Sequence, residues 1–196
     1  FLSGPLFFKQ GVNLHLDKNA VLLASTTAAD YPQINTRFEG VERLFTAAFL
    51  NFDHMTNLQI SGDGTINGQG DVWLARSPRR GGFGRARGGP FSRPATRPAT
   101  RPAGTRPAGT RPNFPGRPRL ICISNSSHVV FSGLHLLKQP IWCLHILYSN
   151  DVLIDNISID AVARIPSSDG IDVDSSKSVT ISHATIACND HNISIK

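Results

Sequence analysis

Cysteine is scarce in this sequence. Cys122, Cys143 and Cys188 are too few and too far apart for a disulfide framework, or for a zinc site built from closely spaced pairs. They are expected to be buried as small hydrophobic side chains. Long apolar runs are also missing, and nothing approaches the 18 or more residues of a membrane-crossing helix. No dozen-residue stretch places apolar residues at i, i+3, i+4 and i+7, so amphipathic helices are not the main building material. The sequence opens at Phe1 without a basic segment followed by an apolar one, so no signal peptide is expected in this segment.

Negative charge is absent from one segment only. Residues 76–119 carry 12 of the 20 Lys and Arg and no Asp or Glu. The remainder has 8 basic and 14 acidic residues, a net of −6, so the formal +6 belongs to that one segment. A basic segment can attract nucleic acid, a membrane surface or an acidic polysaccharide. Aromatic residues are thin within it, which argues against nucleic acid. Neither nucleic acid nor membrane is expected as a partner, and the chain is expected to be a monomer.

The length suits one domain, interrupted once. Residues 77–118 hold a near-repeat of Arg-Pro-Ala-Thr after clusters of glycine, with almost no apolar side chains to offset the entropy of ordering. They are expected to be a disordered or loosely extended insertion, and a tolerated loop expansion explains them better than a tether for an anionic polymer. The expected division is therefore 1–76, the insertion 77–118, and 119–196.

What the flanks do contain is a repeat. Leu58-Gln59-Ile60, Val129-Val130-Phe131, Val152-Leu153-Ile154 and Val179-Thr180-Ile181 are apolar–x–apolar cores, each preceded by a polar turn residue: Asn57, His128, Asp151 and Ser178. Second alternations follow at Leu134 and Leu136, Ile157 and Ile159, Ala184 and Ile186. A further column runs through Leu144 and Ile146, Ile171 and Val173, Ile193 and Ile195. Short strands recurring every 22 to 27 residues predict an all-β solenoid, and the leucine-rich consensus is lacking, so a parallel β-helix fits best.

Stacked windings lie about 4.8 Å apart, so equivalent positions form columns. Asp169 lies two residues before Ile171 and His191 two before Ile193, which predicts that they share a column, with Asp190 beside them. Converging carboxylates suit glycoside hydrolysis, which needs one protonated acid and one ionised base. From spacing alone a turn-stabilising role stays open, because Asp and Ser commonly bond backbone amides at such corners.

The run Ser168-Asp169-Gly170-Ile171-Asp172-Val173-Asp174, followed by Asn189-Asp190-His191-Asn192-Ile193-Ser194-Ile195-Lys196, resembles the polygalacturonase family, glycoside hydrolase family 28. Segments from Gly11 to Pro32, from Ile60 to Trp73 and from Gln139 to His145 resemble further family elements in the family's order. The resemblance implies a right-handed, single-stranded, pectin-lyase-like parallel β-helix, here truncated at both ends. It implies inverting hydrolysis of α-1,4-galacturonan, the acidic plant polysaccharide of pectin, without metal or organic cofactor. An extracellular or periplasmic location follows from it too. Matched by position, Asp190 takes the place of the general acid and Asp169 that of an aspartate that holds and activates water.

The departures count equally. His191 stands where the family has a second aspartate, Ser167 and Ser168 replace Asn-Thr, and Asn189 replaces a glycine. The family's later Gly-His-Gly and Arg-Ile-Lys segments have no counterpart before Lys196. An imidazole that charges beside Asp169 favours ionised rather than protonated carboxylates nearby. Losing one acid–base function typically costs about 10²–10⁴ in rate, so impaired hydrolysis is expected. Two alternatives follow: a degenerate β-helix that at most binds acidic polysaccharide, and a calcium-dependent lyase using the Asp169–Asp174 run. The motifs favour the hydrolase. His145 and His183 are expected to be solvated or strand-face side chains, Trp73 and Trp142 to pack in the core or a groove wall, Asp172 and Asp174 to stabilise turns, and Tyr31 with Pro32 to lie in a loop.

Overall fold

The computed structural model describes residues 1–76 and 116–196. Each winding adds one strand to each of three parallel sheets. The first sheet stacks Leu6–Phe8, Leu50–Asp53, Ile121–Ser124, Leu144–Leu147, Ile171–Asp174 and Ile193–Ile195 in that order. The second stacks Leu14–Leu16, Thr56–Gly62, Ser127–Ser132, Asn150–Asp155 and Lys177–Ser182. The third runs from Leu2–Ser3 through Val21–Ala24, Thr65–Asn67, His135–Leu137 and Ser158–Asp160 to Thr185–Ala187. Parallel strands joined through such crossovers wind right-handed. The fold is an all-β, right-handed parallel β-helix.

The apolar columns of the sequence are the observed register. Val129 pairs with Leu58 and Val152, and Val152 with Val179. Leu144 pairs with Ile171, and Ile171 with Ile193. Alternate residues of each strand point inward, so Ile60, Phe131 and Ile154 lie fully buried above one another, as do Ile66 and Leu136, with Ile159 next in line. The polar residues that open the cores have left-handed backbones: Asn57, His128, Asp151 and Ser178 have φ between 53° and 57°. Each turns the chain at the same corner of successive windings. Serine side chains tie the inside of another corner, where the amides of Met55, Ser126 and Ser149 donate to the hydroxyls of Ser126, Ser149 and Ser176 at 3.0, 3.1 and 2.9 Å.

Two elements depart from the repeat. Gln33–Phe38 and Val41–Thr46 form an antiparallel hairpin, and Gly70–Arg76 is a seven-residue helix. Tyr31 follows a 3-10 turn and is 3% exposed, with its hydroxyl donating to the Ser25 carbonyl and its ring edge-on to Trp73. It is a core residue at a loop, and Trp73 is its packing partner. Cys122 and Cys143 are buried as expected, whereas Cys188 is half-buried and donates to Asn192 Oδ1 at 2.9 Å. Most of the expected insertion, residues 77–115, lies outside the described residues. Within the described helix, no segment is long and apolar enough to cross a membrane.

Candidate active site

The outer face of the first sheet carries the polar residues of the site. Ile171 and Val173 face the core, and the alternation turns Asp172 and Asp174 outward. Asp169 sits in the turn just before this strand. Its carbonyl accepts from the Cys143 amide, while Gly170 N donates to the His191 carbonyl and Ile171 N to that of Asn192. Three consecutive windings are thereby held in register at this point. Gly170 permits the close approach: a Cβ there would lie 2.5 Å from the Asn192 carbonyl oxygen and 2.7 Å from Ile186 Cγ2.

Asp169, Asp190 and His191 do converge. His191 Nδ1 lies 3.1 Å from Asp190 Oδ1 and 3.8 Å from Asp169 Oδ2, and one donor atom from each residue fits within 4.8 Å. The Asp169 side chain is 6% exposed, that of Asp190 41% and that of His191 69%, so a buried carboxylate forms the floor beneath two accessible groups. The substituted positions contact one another. Ser168 Oγ accepts from the Asn189 amide and side chain, and Asn189 ties the loop at Val162 and Arg164 to the same turn.

Lys196 is the group that sequence reasoning left without a role. Its Nζ donates to Asp172 Oδ1, lies 3.5 Å from Asp169 Oδ2 and sits 3.4 Å from the centre of the Trp142 ring. Burial pushes the Asp172 carboxyl up to about 7, with Asp169 adding to the rise and Lys196 opposing it. Asp172 Oδ2 is buried without a hydrogen-bond partner. Trp142 stacks on Phe38, and Phe38 on Phe45, so the hairpin props the wall behind Lys196. The register carried one residue past Val173–Ile195 sets Lys196 opposite Asp174, yet its ammonium reaches back to Asp172, a contact that the columns alone do not give.

A second polar group is buried beside the first. Arg119 Nη1 donates to His145 Nδ1 at 2.5 Å, so His145 carries its proton on Nε2, which faces Asp174 Oδ2 at 3.5 Å. Arg37 Nε from the hairpin reaches both Asp174 oxygens, at 3.0 and 3.2 Å. Burial holds the His145 imidazole down, at about 4. Burial pulls the Asp174 carboxyl upward, but His145, Ser175 and Arg37 outweigh it and hold it below the usual range. His145 is therefore not a solvated histidine but a fully buried strand residue. Likewise Asp172 and Asp174 are not turn stabilisers; both are fully buried and paired with cations. The sequence hid this because their partners come from the hairpin, from Arg119 and from the next winding.

Residues 108–196 match the model of the glycosyl hydrolases family 28. The match takes in just under half of the chain, so over its C-terminal part the chain is similar to that family. An endo-polygalacturonase of Pectobacterium carotovorum subsp. carotovorum is 30% identical over the whole of this chain and 44% of its own length. A probable polygalacturonase of Vitis vinifera is 29% identical, over all of this chain and 35% of its own length. The chain thus spans less than half the length of these curated relatives. In shape it is similar to the crystal structure of an exopolygalacturonase from Thermotoga maritima, with TM-score 0.76 at 23% identity, over all of this chain and 45% of that one.

Proposed function

We propose that the chain carries the acid–base centre of a pectin hydrolase of the polygalacturonase type, slowed by His191. The supporting observation is the convergence of a buried carboxylate, Asp169, with an accessible one, Asp190, and an imidazole. In this reading Asp190 protonates the leaving glycosidic oxygen and Asp169 takes the proton of the attacking water. Lys196 is a positioning residue that keeps Asp169 and Asp172 in place. An imidazole supplies neither the negative charge that keeps an acid protonated nor a second carboxylate to hold water, so turnover is slow. The protein would act outside the cell or in the periplasm, where pectin is met.

Inversion is carried by the resemblance alone. The closest carboxylate oxygens of Asp169 and Asp190 lie within 4.8 Å, nearer than the roughly 6.5–9.5 Å usual for inverting pairs. A water-wide gap between opposed groups is therefore not what this geometry offers, and the water would stand beside the pair rather than between its members. The test is reducing-end release from polygalacturonate by the His191→Asp protein, with and without Asp190→Asn. Activity that survives loss of Asp190 refutes the assignment. Proton NMR of the first-formed product in the same assay reads the anomeric outcome directly.

A further inference from the structure

A histidine in place of an aspartate changes what the cluster can hold. Asp169 Oδ2, Asp190 Oδ1 and His191 Nδ1 are separated by 3.1 and 3.8 Å on the two edges that meet at the imidazole, and all three fit within 4.8 Å. Donors bound to one ion at about 2.0–2.2 Å stand some 3–4 Å from each other, so small side-chain rotations bring this set onto a common centre. One donor is rigidly seated in a buried turn, and the other two are adjacent in sequence and open to solvent. An ion can therefore enter from outside and close on a fixed floor.

The charge of the surroundings points the same way. Asp169 and Asp172 share one ammonium, that of Lys196, and Asp190 faces only the imidazole of His191. Asp172 is fully buried, shares Lys196 with Asp169, and leaves its Oδ2 without any donor. Unmet acceptor capacity in a buried acidic patch is relieved by a cation. Imidazole with two carboxylates suits borderline ions such as Zn²⁺, whereas Ca²⁺ wants six to eight oxygens and Mg²⁺ a near-ideal oxygen octahedron.

We propose that Asp169, Asp190 and His191 form a binding site for a divalent transition-metal ion of the zinc class. The site does not depend on the hydrolase reading, because its readout is cation binding and not turnover. The protein, stripped with chelator, is titrated with Zn²⁺ by calorimetry beside His191→Ala, and Ca²⁺ is titrated in parallel. His191 is mostly exposed, so the variant is expected to keep the wild-type thermal midpoint. The expected result is a Zn²⁺ site weakened at least about tenfold in His191→Ala, since even residues behind the ligands are worth about 10–100-fold. The visible absorption of bound Co²⁺ should be lost with it. Equal Zn²⁺ affinity in the two proteins, or Ca²⁺ bound as tightly as Zn²⁺, would overturn the proposal.

Discussion

Replacing Arg37 by methionine tests whether the hairpin is locked to the solenoid by a buried charge. Asp174 has a fully buried side chain and receives Arg37 Nε on both oxygens, while the Arg37 side chain is 25% exposed. Removing one partner of a buried pair typically costs about 3–5 kcal/mol, because the other charge is stranded. Ser175 Oγ still donates to Asp174 at 2.9 Å and His145 Nε2 stays nearby, and Arg37 is partly wet, so about 2–3 kcal/mol is expected here. For a domain of this size that lowers the thermal midpoint by about 4–12 °C. Circular dichroism melts at neutral pH read it. Adding Asp174→Leu to Arg37→Met should recover most of the loss, since the stranded carboxylate is gone. A loss below about 0.5 kcal/mol for Arg37→Met would refute the lock.

Gly170→Ala should lower both stability and hydrolysis, because the new Cβ meets the Asn192 carbonyl at 2.5 Å and forces the His191 winding away from Asp169; unchanged melting would contradict the stacking described. Phe131→Ala, in the middle of the core, should cost about 3–5 kcal/mol by denaturant titration. Two pH effects run in opposite directions. The folded state raises Asp172 to about 7, so its contribution is present in acid and lost as pH rises from about 4 to 7; wild type should lose stability relative to Asp172→Asn over that window. The folded state lowers His145 to about 4, so its contribution is complete above about 6.5 and lost as pH falls toward 4; wild type should lose stability relative to His145→Gln on acidification. Chemical denaturation of the variants from pH 4 to 8 checks both signs.

The solenoid was legible because its information is local and repeated. Val129, Val152 and Val179 each announce an inward strand position, and a fixed period leaves one way to stack them. The meeting of Asp169 with His191 was readable for the same reason, being fixed by their distance from Ile171 and Ile193. Asp172 and Asp174 were misjudged because an aspartate in a strand declares its role only through its partners. Those partners are Lys196, Arg37 and, through His145, Arg119, and all three lie off the repeat's own strands. The hairpin likewise carries no repeat signal, since its alternation at Gln33–Phe38 and Val41–Thr46 belongs to one antiparallel pair. Asn189 and Ser168 each depart from the family pattern, yet they bond each other across the windings. A pair of that kind is invisible until the coils are laid side by side.

The most direct measurement is the rate of polygalacturonate hydrolysis by the protein against its His191→Asp variant under identical conditions. With Asp190 as acid and Asp169 as base, restoring the carboxylate should raise the rate by about 10²–10⁴. Equal rates would mean that the cluster formed by Asp169, Asp190 and His191 does not carry the chemistry.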